Sequence, residues 1–233
     1  MGKITDLLFK DIHVEDGLSA CINCGTCTAI CPAAGFYHYS PREIVDTVQS
    51  KNELKIIDLL KSEQIWYCGE CMSCKTRCPR NNTPGMIIIA LRSLSQELGY
   101  FTESEKGRQQ LAVKRIIGEA ILNKGYCVHI DQIETGLHPE QGPVWDWFKE
   151  NVEQVHERLG TAYKKNTAGV MRNIAQEDLD ELDKIFEVTG AHDRFRKIEE
   201  FSKQKARDLR IEFDKGIDEY FLHVYQSNCG KHY

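Results

Sequence analysis

Two short stretches of this chain repeat one cysteine spacing, and no other feature limits its fold so sharply. The first is Cys21-Ile-Asn-Cys24-Gly-Thr-Cys27-Thr-Ala-Ile-Cys31-Pro32; the second is Cys68-Gly-Glu-Cys71-Met-Ser-Cys74-Lys-Thr-Arg-Cys78-Pro79. Both read C-x2-C-x2-C-x3-C-P, the bacterial dicluster spacing. Thiolates at three-residue steps can wrap one face of an iron–sulfur cubane and reach three of its four irons. The longer gap carries the fourth Cys one helical turn away. The proline after it removes a backbone donor and redirects the chain. In this arrangement the fourth Cys of each run serves the cluster of the other run. The expected ligands are Cys21, Cys24, Cys27 and Cys78 for one [4Fe-4S] cluster, and Cys68, Cys71, Cys74 and Cys31 for the second. The competing reading is structural zinc, which prefers two C-x2-C pairs across a longer loop. A third Cys at the same step, the terminal Cys-Pro and the repetition of the whole pattern weigh against zinc and against disulfides.

The rest of the composition narrows the setting. A net charge of -5 over 233 residues argues against a nucleic-acid partner, which would call for a basic face. No apolar leader follows Met1, and the longest apolar run, Met86 to Leu91, is too short to span a bilayer. The expectation is a cytoplasmic protein without direct membrane insertion, where clustered thiols are metal ligands more often than disulfides. Small residues between the ligands (Gly25, Thr26, Thr28, Ala29, Gly69, Ser73) let backbone N–H groups approach cluster sulfurs and tune potential. Lys75, Arg77 and Arg80 either stabilise a reduced, anionic cluster or form a solvated basic patch or partner contact. Cys127 and Cys229 are left over; Cys127 is expected to pack, and Cys229 reads as an incidental thiol in a polar tail, with a functional thiol as the alternative.

The segments around the runs read as helices. Ser40-Pro41-Arg42-Glu43 is a capping box with proline at the first helical position, leading into Ile44, Val45 and Val48. Ser50 to Glu53 reads as a second box before Leu54, Ile57, Leu59 and Leu60. Thr83-Pro84 opens a helix through Met86, Ile89, Ala90 and Leu94, closed near Gly99. Thr102 to Glu105 reads as a third box, starting a helix to Asn123 that stops at Gly125. Further helices are expected from Pro143 to Leu159, from Gln176 to Val188 and from His192 to about Arg210. The fold class is all-α, with a helical dicluster domain over 1–100 and a helical extension over 101–233.

These residues carry a specific resemblance. The two runs, the Ser40-Pro41-Arg42-Glu43-Ile44 insert, Trp66 two residues before Cys68 and the Ile-rich helix ending in Leu91-Arg92 resemble the C subunit of heterodisulfide reductase and its bacterial relatives, over roughly residues 15–100. The resemblance implies an alpha-helical ferredoxin fold and an electron relay between a flavin-bearing A subunit and a B subunit that does the sulfur chemistry. The Leu137-His138-Pro139-Glu140-Gln141-Gly142-Pro143-Val144-Trp145 loop is similar to the C subunits of heterodisulfide-reductase-like complexes of sulfur-oxidising bacteria. That similarity implies sulfur carried on a lipoate-binding protein as the substrate, with electrons moving from B toward A. The alternatives are a heterodisulfide reductase of methanogens or sulfate reducers, and a quinone-linked dehydrogenase. A quinone-linked subunit would carry a plant-type cysteine domain before Cys21, where only twenty residues stand.

What is missing shapes the expected role. There is no G-x-G-x-x-G after a strand pattern, no Walker motif, no nucleophile triad and no Cys-Cys-Gly element of the B-subunit kind. The expectation is a non-catalytic electron-transfer subunit with no organic cofactor. Trp66 is expected to shield a cluster from water. Trp145 and Trp147, two apart, cannot share a helix face, so one packs and one stands at an interface. His138 reads as a loop residue. The charged stretch from Asp178 to Asp214 reads as a solvated face or a docking surface for another subunit.

Overall fold

In a computed structural model the chain is all-α; it describes residues 2–132, 135–138 and 142–227, and there is no strand among them. Two compact units form: one from Met1–Gln110 with Lys197–Tyr233, the other from Leu111–Arg196.

The first unit is built on α1 (Lys3–Leu8), α2 (Ile12–Gly17), α3 (Thr26–Ala29), α4 (Pro41–Gln49), α5 (Glu53–Lys61), α6 (Ser73–Arg77) and α7 (Pro84–Glu97). Helix α4 starts as its sequence dictates: Ser40 Oγ accepts the Glu43 N–H at 3.3 Å and Pro41 opens the first turn. Helix α5 starts two residues later than its Ser50 box suggests. Asn52 is the N-cap and accepts from Lys55 N, because Ser50 Oγ donates to Thr47 O at the end of α4.

Helix α7 is the centre of the core. Its fully buried positions include Ile87, Ile88, Ala90, Leu91 and Ser95, while Met86, Ile89 and Leu94 are only partly covered. A helix apolar on nearly every side belongs in an interior, and α2, α4 and α5 all pack on this one. They bring Val14, Ile44, Val48, Ile56 and Leu60 into one cluster with it. Each such side chain contributes roughly 1.5–3 kcal/mol by leaving water. Gly17 permits the closest approach: a Cβ there would stand 3.2 Å from both Met86 Cβ and the Thr83 carbonyl oxygen. The Thr83 N–H donates to Gly17 O at 2.7 Å, so the start of α7 is tied to the end of α2.

The helix expected from Thr102 begins differently. Tyr100–Glu103 is a 3-10 turn, Thr102 Oγ1 bonds back to Gly99 O, and Ser104 is the cap that accepts the Gly107 N–H. The Glu63 carboxylate takes the Glu105 and Lys106 N–H groups of that first turn. The helix then continues only in pieces to Lys124, with a π-turn over Lys114–Gly118. Gly125 ends it at φ 71, as its sequence requires. The C-terminal segment of this unit adds Phe201, edge-on to Phe101, and the helix Glu219–Gln226, which buries Tyr220, Phe221 and Val224.

In the second unit the helix expected from Pro143 to Leu159 is two, Pro143–Glu150 and Val152–Arg158. They are parted at Asn151, whose side-chain amide donates to Trp147 O. Trp145 is half-buried against Phe148 and Trp147 is exposed. Gln176–Val188 forms as expected and buries no residue fully. Ala191–Leu209 covers the next expected helix, and from Lys197 it belongs to the first unit, where it buries Ile198, Ser202 and Ala206. Cys127 is exposed, against the expectation that it packs, because it sits in the irregular segment after Gly125. Cys229 and Pro139 to Gln141 of the 137–145 loop lie outside the described residues.

Candidate metal centres

The two cysteine runs fold into near copies of each other. In each, the residue two beyond the first Cys has left-handed backbone, Asn23 at φ 58 and Glu70 at φ 53. That turn points its N–H back at the first thiol: Asn23 N to Cys21 Sγ and Glu70 N to Cys68 Sγ, both 3.4 Å. The residue after the second Cys is left-handed as well, Gly25 at φ 79 and Met72 at φ 56. It launches a short helix, α3 or α6, that carries the third Cys. Glycine takes this conformation freely, whereas Met72 holds it at a cost of roughly 1–2 kcal/mol. Such strain persists only where surrounding structure enforces it.

The thiols divide into two kinds in the same way in both runs. The Thr26 hydroxyl beside Cys24 and the Ser73 hydroxyl beside Cys71 hold these exposed thiols below their usual range. Burial pushes Cys27 and Cys74 up, partly offset at Cys74 by the Gly85 amide. Cys27 also feels the charge of Cys74, which marks the two runs as neighbours where α3 packs on α6.

Two cavities open at this junction. One is walled by Cys21, Cys24, Cys27 and, from the other run, Cys78. The other is walled by Cys68, Cys71, Cys74 and, from the first run, Cys31. These are the two sets of four expected from the spacing. No carboxylate or imidazole lines either cavity. Among the described residues, no three His, Cys, Asp or Glu side chains converge as they would on a single ion. Four thiols standing around a space, with soft sulfur donors only, fit a polynuclear iron–sulfur core.

Helix α7 aims its N-terminus between the two cavities, with Pro84 on the wall of the first and Gly85 on the wall of the second. Thr83 makes no side-chain cap, so the positive end of the helix faces both sites. Gly85 leaves room for Met72 there: a Cβ would stand 2.8 Å from Met72 Sδ, and that flexible side chain would have to shift. Of the three cations on the second run, Arg80 lines the first cavity together with Arg42, while Lys75 and Arg77 line neither.

Several supporting contacts carry no sequence signature. Gln49, at the end of α4, brackets Cys21, accepting from its N–H at 2.7 Å and donating to its carbonyl at 3.3 Å. Thr28 Oγ1 meets Ser40 Oγ at 3.0 Å, joining the first run to the cap of α4. Arg92 of α7 binds the entry to the second run. Its Nε donates to Ile65 O and its second terminal nitrogen to Cys68 O, both at 2.6 Å, and it pairs with Glu70. The same guanidinium stacks 5.5 Å from the Trp66 ring centre, and Trp66 is on the wall of neither cavity. Trp66 therefore supports the arginine that holds the run, not the shield expected of it. Tyr39, on the second cavity, is buried beside Cys68 and Cys31, and burial drives its phenol far above the ordinary range.

This helical frame and its paired four-thiol cavities define a two-cluster iron–sulfur protein of the helical ferredoxin class. A family model described as a 4Fe-4S dicluster domain matches residues 16–82, and the chain carries two [4Fe-4S] clusters. The C subunit of the ferredoxin:CoB-CoM heterodisulfide reductase of Methanosarcina acetivorans is 32% identical over 199 residues, covering 82% of this chain and 69% of that protein. The iron-sulfur C subunit of the CoB–CoM heterodisulfide reductase of Methanopyrus kandleri is 29% identical over 164 residues, covering 66% and 78%. The C 2 iron-sulfur subunit of the Methanocaldococcus jannaschii enzyme is 29% identical over 142 residues, covering 61% and 72%. The chain belongs to the C-subunit family of heterodisulfide reductase.

Proposed function

We propose that this chain is the electron relay of a heterodisulfide reductase-like complex, passing single electrons between a B-type subunit that does the sulfur chemistry and a flavin-bearing A-type subunit. The observation that carries this reading is the pair of adjacent cavities, each walled by three thiols of one run and one of the other. Bound there, the [4Fe-4S] clusters accept and release one electron at a time, and the chain's part is spacing and potential. Cys21, Cys24, Cys27 and Cys78 would hold one, and Cys68, Cys71, Cys74 and Cys31 the other. The interlock ties segments on either side of the α4–α5 insert, so a cluster lost from one cavity loosens both runs.

The chain is read as non-catalytic and cytoplasmic, with 101–233 serving to dock other subunits. No described helix is long and apolar enough to cross a membrane. On the resemblance of the 137–145 loop, the complex oxidises sulfur presented by a lipoate-binding protein. The names of the relatives above favour a second reading, in which the same relay feeds disulfide reduction.

Anaerobic affinity purification from the native host, read by mass spectrometry, separates these. The expected companions are an A-type flavoprotein and a B-type subunit. A lipoate-binding protein among them supports sulfur oxidation, whereas its absence, with a hydrogenase or ferredoxin partner present, supports disulfide reduction. Membrane subunits of a quinone-linked dehydrogenase in their place would overturn the relay assignment.

A further inference from the structure

Each cluster cavity has one buried side-chain donor with no oxygen or nitrogen to donate to. On the second cavity it is Tyr39, 4% exposed, whose hydroxyl stands against the Cys68 sulfur. On the first it is Asn82, 2% exposed, whose Nδ2 has no hydrogen-bond partner. The other end of the Asn82 amide is fully used: Oδ1 accepts Ser19 N at 2.6 Å and Ser19 Oγ at 3.3 Å. That fixes which way round the amide stands and commits Nδ2 away from Ser19. The Tyr39 ring is fixed too, packed edge-on to Tyr67 at 6.2 Å. Among the described residues, the other buried groups without partners, Trp66 Nε1 and Tyr220 Oη among them, line neither cluster cavity.

A buried donor is costly when unpaired, and phenylalanine at 39 would fill the same space without that cost. Anionic sulfur in the adjoining cavity is the acceptor each donor lacks. A hydrogen bond to a ligand or bridging sulfur stabilises the more negative, reduced cluster and so raises its potential.

We propose that Tyr39 and Asn82 are the matched potential-setting donors of this subunit, Tyr39 to a sulfur of the second-run cluster and Asn82 to a sulfur of the first-run cluster. The assignment rests on the two-cluster relay reading and adds the residues that poise each centre. It makes the two potentials separately adjustable, because each donor reaches one cavity only. The chemistry also differs between centres: a phenol O–H serves one, an amide N–H the other, and Arg42 and Arg80 stand only on the first.

The test is an EPR-monitored redox titration of the anaerobic full-length chain, with iron counted on the same samples. Tyr39→Phe is expected to load as much iron as the unaltered chain. Its second-run centre should be harder to reduce by on the order of tenfold in the one-electron equilibrium, a shift of about 59 mV to lower potential, with the first-run centre unmoved. Asn82→Asp retains the acceptor for Ser19 and replaces the donor with a carboxylate. It should lower the first-run centre by at least as much and spare the second. Full iron loading with neither centre moved in Tyr39→Phe, or a shift confined to the wrong centre, would overturn the proposal while leaving the relay reading intact. An unaltered chain lacking two reducible centres would instead strike at the relay reading itself. If Tyr39→Phe loads poorly, the Asn82 arm decides alone, and an unmoved first-run centre there overturns the proposal.

Discussion

Replacing Cys31 with alanine is expected to remove the cluster held by the second run and to leave the first-run cluster in place. The reason is geometric. Cys31 belongs to the first run by sequence but lines the cavity of Cys68, Cys71 and Cys74. Iron in the anaerobically prepared protein should fall from about eight to about four per chain, or to about seven if the damaged cubane survives in a three-iron form. The sharper version uses two variants from the same run. Cys27→Ala should damage the first-run centre and Cys31→Ala the other, so combining them should abolish both EPR signals. Combining Cys31→Ala with Cys68→Ala should cost little beyond either alone, because both strike the same cubane and effects within one unit do not add. If each run instead ligated its own cluster, Cys27→Ala and Cys31→Ala would silence the same signal, and the interlocked arrangement would be wrong.

The second large effect is expected at a residue that is no ligand but holds one. Arg92→Ala removes donors from Ile65 O and Cys68 O and leaves Glu70 without its cation. The side chain is 18% exposed, so the pairing is only partly screened. Hydrogen bonds from a charged donor contribute about 1.5–3 kcal/mol each when partners are left unpaired. Allowing for relaxation of the loop, the loss should be roughly 3 kcal/mol, and Trp66 loses the guanidinium stacked on it as well. Anaerobic denaturant titration followed by helical signal and by cluster absorbance measures it. The second-run cluster should bleach first under a chelator, since its Cys68 is the ligand whose backbone comes loose. Arg92→Lys should recover less than half the stability, because one ammonium cannot reach three acceptors in the guanidinium's plane. A stable Arg92→Ala protein with both clusters equally resistant would show that the second run holds itself.

What could be read from the sequence follows from what is local. The cysteine spacing repeats without interruption, and the backbone turns it demands are short-range, so the three thiols that line each run's own cavity were legible as a set, while the crossed fourth followed only from the dicluster spacing. The Ser40 cap and the Gly125 stop were legible for the same reason. The misplaced caps failed through competition. Ser50 and Thr102 both have the right neighbours three residues on, but their hydroxyls bond backward to Thr47 O and Gly99 O, leaving Asn52 and Ser104 to cap. Asn151 breaks a helix whose apolar spacing runs on through it, a local choice invisible to periodicity. Gln49, Tyr39 and Asn82 were not legible at all, and Arg92 was marked only by the family resemblance, not by any role. Each acts across the fold on a segment far from it in the chain, and nothing in its immediate neighbours marks it. Arg80 shows the same limit: adjacent in sequence to the second run, it stands on the cavity of the first because Cys78 carries it there.

The relay requires the thiols of two separated stretches to enclose two cubanes. Metal and acid-labile sulfide analysis of the unaltered chain, purified without oxygen and paired with Mössbauer spectroscopy, tests that enclosure. About eight irons and about eight sulfides per chain are expected, all in cubane form. About four irons, or zinc in place of iron with no labile sulfide, would contradict it.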